Sequence, residues 1–215
     1  QFTGRALAEA IRRHPEINSV LRFGRLYPRK SIDMFFQVAS DGAGKDLSGT
    51  VIRGIDQLSI EQIAASMDAK VKSIREKGDP EFKQMKGLMG LLPGFLVGFM
   101  IDLASVITTL FNFWHPLLGT PRDAFGSAMI TGIGSLGIDN AFAPLVPYSR
   151  VPLLIAVGAV KDTPVVKDGK IEIASVVRMS VTFDHRIIDG VHAAKMARVF
   201  KAVFANPERE LGPIG

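Results

Sequence analysis

Val176-Val-Arg-Met-Ser-Val-Thr-Phe183, then Asp184-His185-Arg186-Ile-Ile-Asp189-Gly190, then Val191 to Phe204: this run decides the fold. Its first part is dense in β-branched and aromatic residues, which pack well on a pleated sheet, and it reads as a strand. Its last part places Val191, Ala194, Met196, Val199, Ala202 and Val203 on one face at helical spacing. His185 therefore falls at a strand end and Asp189 in the turn before a helix. Loops held by a rigid scaffold are where catalytic groups concentrate. Histidine is also the side chain best suited to taking a proton near neutral pH. A plainer reading uses the same residues: His185 ends a strand, and Asp184, Arg186 and Asp189 form a surface ion-pair cluster.

Upstream, the pattern is mixed. Residues 5–13 read as a short helix stopped at Pro15, whose ring and missing donor end helices. Val20 to Phe23, Leu26 and Ile32 to Val38 read as strands, the last of them central. Gly42 to Gly49 reads as a polar loop and Thr50-Val-Ile-Arg53 as a strand. Leu58-Ser59-Ile-Glu-Gln62-Ile63 is a helix start: Ser59 can cap Gln62, Gln62 can reach back, and Leu58 can staple onto Ile63. That helix is expected to stop at Gly78-Asp79-Pro80. Ala128–Ile133 and Val151–Val160 read as strands, and Asp168-Gly169 as a two-residue hairpin turn. Strands and helices interleaved without a repeat predict an α/β two-layer sandwich, a mixed sheet with helices packed on it.

Composition narrows the chemistry. The 215 residues contain no cysteine, which excludes disulfides, a thiolate nucleophile and cysteine metal sites. The four histidines, His14, His115, His185 and His192, are too scattered for a metal cage, and His192 reads as a helix-face residue. A hydrophobic fraction of 47% supports a sizeable core in one domain. A net charge of +5 suits an anionic partner such as coenzyme A, although basic and acidic residues alternate almost everywhere. No basic run with interleaved aromatics marks a nucleic-acid surface. Gln1-Phe-Thr-Gly leads straight into the first helical pattern, so no signal peptide is expected.

Asp184-His185-Arg186-x-x-Asp189-Gly190 running into an Ala-rich helix resembles the signature of the 2-oxo acid dehydrogenase acyltransferases, the dihydrolipoamide acyltransferase catalytic domains. Two further segments strengthen the resemblance. Ser127-Ala-Met-Ile-Thr131-Gly132-Ile-Gly134-Ser-Leu-Gly137 is similar to the family's Gly-rich strand-to-loop segment, and Ala8 to Asn18 to its "alkxxPelN" helix and turn. It covers residues 4–78 and 123–206. The resemblance implies a chloramphenicol acetyltransferase-like fold and acyl transfer between coenzyme A and a thiol acceptor such as dihydrolipoamide. The lipoyl group would be carried on a partner. It also implies His185 as general base, Thr131 as the hydroxyl facing the oxyanion, where serine is more usual, and Asp189 as a structural residue holding the histidine loop. The arginine that pairs with that aspartate in the family comes from an N-terminal segment not in this sequence, so Asp189 is expected to be paired differently. Family members are trimers with the site between subunits, and trimers assemble into hollow cores. The expected location is the cytoplasm.

Residues 79–122 do not match. Leu88 to Trp114 is almost uniformly apolar, with Asp102 its single charge. The length suits a membrane span, but the flanking strands belong to one sheet, so the chain must leave and return on the same side. The expectation is a helical insertion, a hairpin broken near Pro93-Gly94 or near Asp102, with Asp102 at a tip or a protein contact. Three roles are open: a subunit interface or buried lid, membrane-surface association through residues 86–118, or the wall of a channel for a long acyl group. Two functional classes follow: an acyltransferase, either the core of a complex or free-standing with a hydrophobic acceptor, and a non-catalytic or membrane-docking scaffold that keeps the trimeric core.

Overall fold

The computed structural model describes residues 1–39, 47–77, 93–111 and 123–212. Its centre is a five-stranded mixed sheet in the order β4-β3-β5-β6-β7, built from β3 (Met34–Ala39), β4 (Leu47–Ile52), β5 (Ala128–Gly132), β6 (Leu153–Lys167) and β7 (Lys170–Phe183). β3 runs parallel to β5, and β5 parallel to β6, while β4 and β7 are antiparallel at the edges. A separate hairpin, β1 (Ser19–Arg22) and β2 (Arg25–Pro28), turns at Phe23-Gly24, both at positive φ.

Side chains alternate between the two faces of a strand, and the core divides by parity. Met34 and Phe36, Ala128 and Ile130, Leu153 and Ile155 point to one face, where they pack with α1 (Phe2–Arg13) and α4 (Gly190–Ala205). Phe35, Met129 and Leu154 point to the other and meet Phe125, Ala143, Leu145 and Val151. Burial on both faces makes these strands continuous apolar runs, which is why they were legible in the sequence.

The helix starting at residue 60 forms as expected. α2 (Ile60–Lys77) opens on a reciprocal cap in which Gln62 N donates to Ser59 Oγ at 3.2 Å and Ser59 N donates to Gln62 Oε1 at 3.0 Å. The Asp168-Gly169 hairpin is also present, with φ of 50° and 77°, closing the Lys167–Lys170 pair. Two boundaries differ. β4 begins at Leu47, inside the stretch expected to be loop, and residues 40–46 lie outside the described residues. β6 continues past Val160 to Lys167 because β7 pairs with it along its whole length, with a register shift between Val157 and Val160.

Within the apolar block, α3 (Gly94–Ser105) follows Pro93 at its N-cap and continues as a π-helical turn, Val106–Leu110. The expected break at Pro93-Gly94 is the start of this helix. Asp102 is not a break: it lies inside α3. The return arm, residues 112–122, and residues 78–92 fall outside the described residues. No described helix is long and apolar enough to cross a membrane.

α1 holds a buried carboxylate. Glu9 is 1% exposed, and its oxygens accept from Arg12 Nη2 and Arg13 Nε, both at 2.7 Å, with Arg5 at 3.6 Å. Burial pushes the Glu9 carboxyl up, but the hydrogen bonds from Arg12 and Arg13 outweigh it and bring it down to about 2. A depressed folded-state value stabilises the fold above the unfolded carboxyl's ordinary value of 4.5 and loses that contribution as pH falls toward 2. Glu9→Gln should therefore cost about 2–3 kcal/mol at pH 7 in urea denaturation. The gap to wild type should narrow steadily as the pH is taken from 5 to about 2.5.

Candidate active site

The His185 loop is fixed by its backbone. Asp184 N donates to the Pro152 carbonyl at 2.8 Å, which ends the sheet ladder, and Ile187 N and Ile188 N both donate to the Asp184 carbonyl at 2.9 Å. Ile187 and Ile188 are buried and anchor the turn in the core. Arg186 closes on Asp184, with Nε 2.9 Å from Oδ1 and Nη2 2.6 Å from Oδ2, and its own amide donates to Oδ1 at 3.0 Å. The Arg186 side-chain hydrogen bonds hold the Asp184 carboxyl below its usual range. His185 is left exposed at the apex, its ring 6.1 Å from that of Phe183. Half of the plainer reading is thus correct: Asp184 and Arg186 do form a surface pair, and that pair shapes the turn presenting His185.

Asp189 is not in that cluster. It is the N-cap of α4, accepting from His192 N at 2.9 Å on Oδ1, while Asp189 N donates to His192 Nδ1 at 3.3 Å. This is a capping box with histidine in the place usually held by glutamate or glutamine. The Asp189 carboxyl is lowered, first by the hydrogen bond from the His192 amide. His192, expected as an ordinary helix-face residue, is the second half of the cap. In this chain the partner of Asp189 is His192.

The histidine loop borders a cavity of about 540 Å³. Phe183, Asp184, His185, Arg186 and Ile187 form one wall, the segment from Leu145 to Val151 another, Leu21 of β1 a third, and Asp102 of α3 closes it. The mostly apolar lining with a few charged groups is typical of small-molecule sites. Tyr148 and Arg150 carry no recognisable motif and were missed by sequence reasoning. Asp102 had one signal, as the single charge in an apolar run.

Thr131 is elsewhere. It pairs with Ala156, which pairs with Ser180, whereas Phe183 pairs with Leu153. Three residues of strand and two strand spacings separate the levels of Thr131 and Phe183, which at about 3.3 Å per residue and about 4.8 Å per strand is roughly 14 Å. His185 lies further on in the same direction. Thr131 sits within the sheet and His185 beyond one end of it, two strands away, so the two do not meet within one chain. Of the nearby glycines, Gly134 is needed for packing, since a Cβ there would lie 2.6 Å from the Gly158 carbonyl, and Gly137 for its φ of 75°. At Gly132 the space is open.

Residues 119–211 match the family model of the 2-oxoacid dehydrogenases acyltransferase (catalytic domain). That stretch, which holds β5 to α4 and the His185 loop, is similar to the family's catalytic domain. The N-terminal segment likened to the acyltransferases, residues 4–78, lies outside this match but inside a longer one. Over 206 residues, 96% of the chain, it is 24% identical to the dihydrolipoyllysine-residue acetyltransferase component of the acetoin cleaving system of Bacillus subtilis. The chain spans 41% of that relative's length. In structure, all of the chain superposes on 70% of a probable dihydrolipoamide acetyltransferase from Listeria monocytogenes, with a TM-score of 0.68 and 20% identity. Chloramphenicol acetyltransferase matches 92% of the chain and 73% of its own, with a TM-score of 0.52 and 15% identity. The mixed sheet with packed helices is therefore the acyltransferase fold, as expected.

The cap on α4 can be tested directly. Asp189→Ala should speed amide exchange at His192 by about fivefold or more, while Asp189→Asn, which keeps the accepting oxygen, should stay close to wild type. Hydrogen-exchange mass spectrometry or NMR reads the difference.

Proposed function

We propose that the chain is an acyltransferase catalytic domain that moves an acyl group between coenzyme A and a thiol acceptor such as dihydrolipoamide, in the core of a 2-oxo acid dehydrogenase-type complex. The observation that carries this reading is His185, presented at the apex of a braced turn on the edge of a mostly apolar cavity. Residues 1–215 form a single domain in this reading, with 79–122 inserted in it, and its location is the cytoplasm.

In the forward direction, the His185 imidazole takes the proton from the acceptor thiol. The sulfur attacks the acyl carbonyl of acyl-coenzyme A, and a carbon–sulfur bond forms. Charge builds on the carbonyl oxygen, which a Thr131 hydroxyl can stabilise by donating a hydrogen bond. Collapse breaks the old carbon–sulfur bond, and the departing coenzyme A sulfur takes back the proton. Asp189 acts at one remove, by capping the helix that follows the loop.

The roughly 14 Å between the two residue levels supports a site shared between chains, with His185 from one protomer and Thr131 from its neighbour. A head-to-tail contact between copies would bring the two residues together, and such contacts form rings when the rotation closes. A homotrimer, assembled further into a hollow core, suits this geometry. Two variants test it together. His185→Ala should lower kcat for acetyl transfer to dihydrolipoamide by about 10²–10⁴-fold. Thr131→Val should lower it by about 10²–10³-fold. Mixing the two after dissociation and reassembly should restore part of the lost rate, because some seams then hold an intact pair. Mixtures no better than their components would rule out the shared site.

One observation favours a second role for the same chain. α3 leaves Phe95 76%, Phe99 62% and Leu103 45% exposed, with Phe111 just beyond at 65%. An apolar helix so little covered suits docking to a membrane surface or a scaffold role. With Phe95 and Phe99 both changed to Ser, co-sedimentation with anionic liposomes should drop several-fold. Equal recovery of the variant and the wild type would leave no membrane role.

A further inference from the structure

We propose that Asp102 is a specificity-determining residue of the His185 cavity, a carboxylate delivered by the apolar helix α3 that disfavours anionic acceptors and so selects a neutral acyl acceptor. The inference rests on the acyl-transfer reading above and adds to it the charge of the group admitted on this side.

The argument starts from placement. α3 contributes a single residue to the cavity, and it is the one charged residue of the helix. The rest of α3 is apolar, with Phe95, Phe99, Met100 and Leu103 turned to the outside. Asp102 is exposed and so stays hydrated where α3 borders the cavity. The same cavity is lined by the His185 loop, where the charges of Asp184 and Arg186 are committed to each other at 2.6 Å. Arg150 lines the cavity too and supplies an opposing charge, so Asp102 is read by the change its removal causes, not by the absolute preference of the wild type.

Magnitude decides whether the effect is measurable. A sphere of 540 Å³ is about 10 Å across. Two unit charges at about 10 Å, with an effective dielectric between about 20 and 80, change an equilibrium by about twofold to fifteenfold. Dihydrolipoamide and dihydrolipoate are a matched pair of acceptors. They share the dithiol and the hydrocarbon arm, and only the second carries a carboxylate at its far end.

The experiment measures kcat/KM of the whole chain for both acceptors, with acetyl-coenzyme A as donor, and takes their ratio. Asp102→Asn should shift the ratio toward dihydrolipoate by about twofold or more, and Asp102→Lys should shift it further in the same direction, with both shifts shrinking at high salt. Because each ratio comes from one preparation, partial loss of folded protein cancels. Ratios unchanged from wild type in both variants, or a shift with Asn that Lys fails to enlarge, would overturn the assignment and leave Asp102 a hydrated residue of no consequence for selection. A wild type that transfers to neither acceptor would instead overturn the acyl-transfer reading, and this inference with it.

Discussion

The β6–β7 ladder is the constraint on which the site depends. Pairing of Leu153 with Phe183, followed by the hydrogen bond from Asp184 N to the Pro152 carbonyl, fixes the residue at which the chain leaves the sheet. One residue earlier or later, and every side chain of β7 would change face. Met179 and Phe183 would leave the core they share with α1 and α4, and His185 would no longer stand at the apex of its turn. The turn itself is held from both sides, by buried Ile187 and Ile188 beneath and by the Arg186–Asp184 pair above.

The same ladder sets Thr131 apart from His185. β5 is parallel to β6 and β7 antiparallel to it, so β5 ends where β7 is still in mid-course. Thr131 near the end of one strand and His185 past the end of the other then lie at different levels of the sheet. No side-chain motion bridges that interval.

α3 brings something that the sheet cannot. Its outer surface is apolar and exposed, and its one carboxylate lies on the cavity. The β1–β2 hairpin takes part in this arrangement: Leu21 lines the cavity, and the Phe23 ring at its tip meets Phe111 edge-on at 5.4 Å.

Local pattern determined much of this protein. The apolar-rich runs read as strands at Ile32–Val38 and Ala128–Ile133, the Ser59/Gln62 cap and the Asp168-Gly169 turn are all written in residues close together in the chain, and the strands formed within two residues of those bounds. The segment from Asp184 to Gly190 likewise indicated a loop between a strand and a helix, and its resemblance indicated the family. What required the tertiary structure was every relation between distant residues. The register that parts Thr131 from His185, the return of Asp102 to the histidine loop, the Leu145–Val151 wall and the use of His192 as a capping partner have no local signature. Periodicity reports which face a side chain occupies, whereas strand pairing and packing across the chain decide which faces meet.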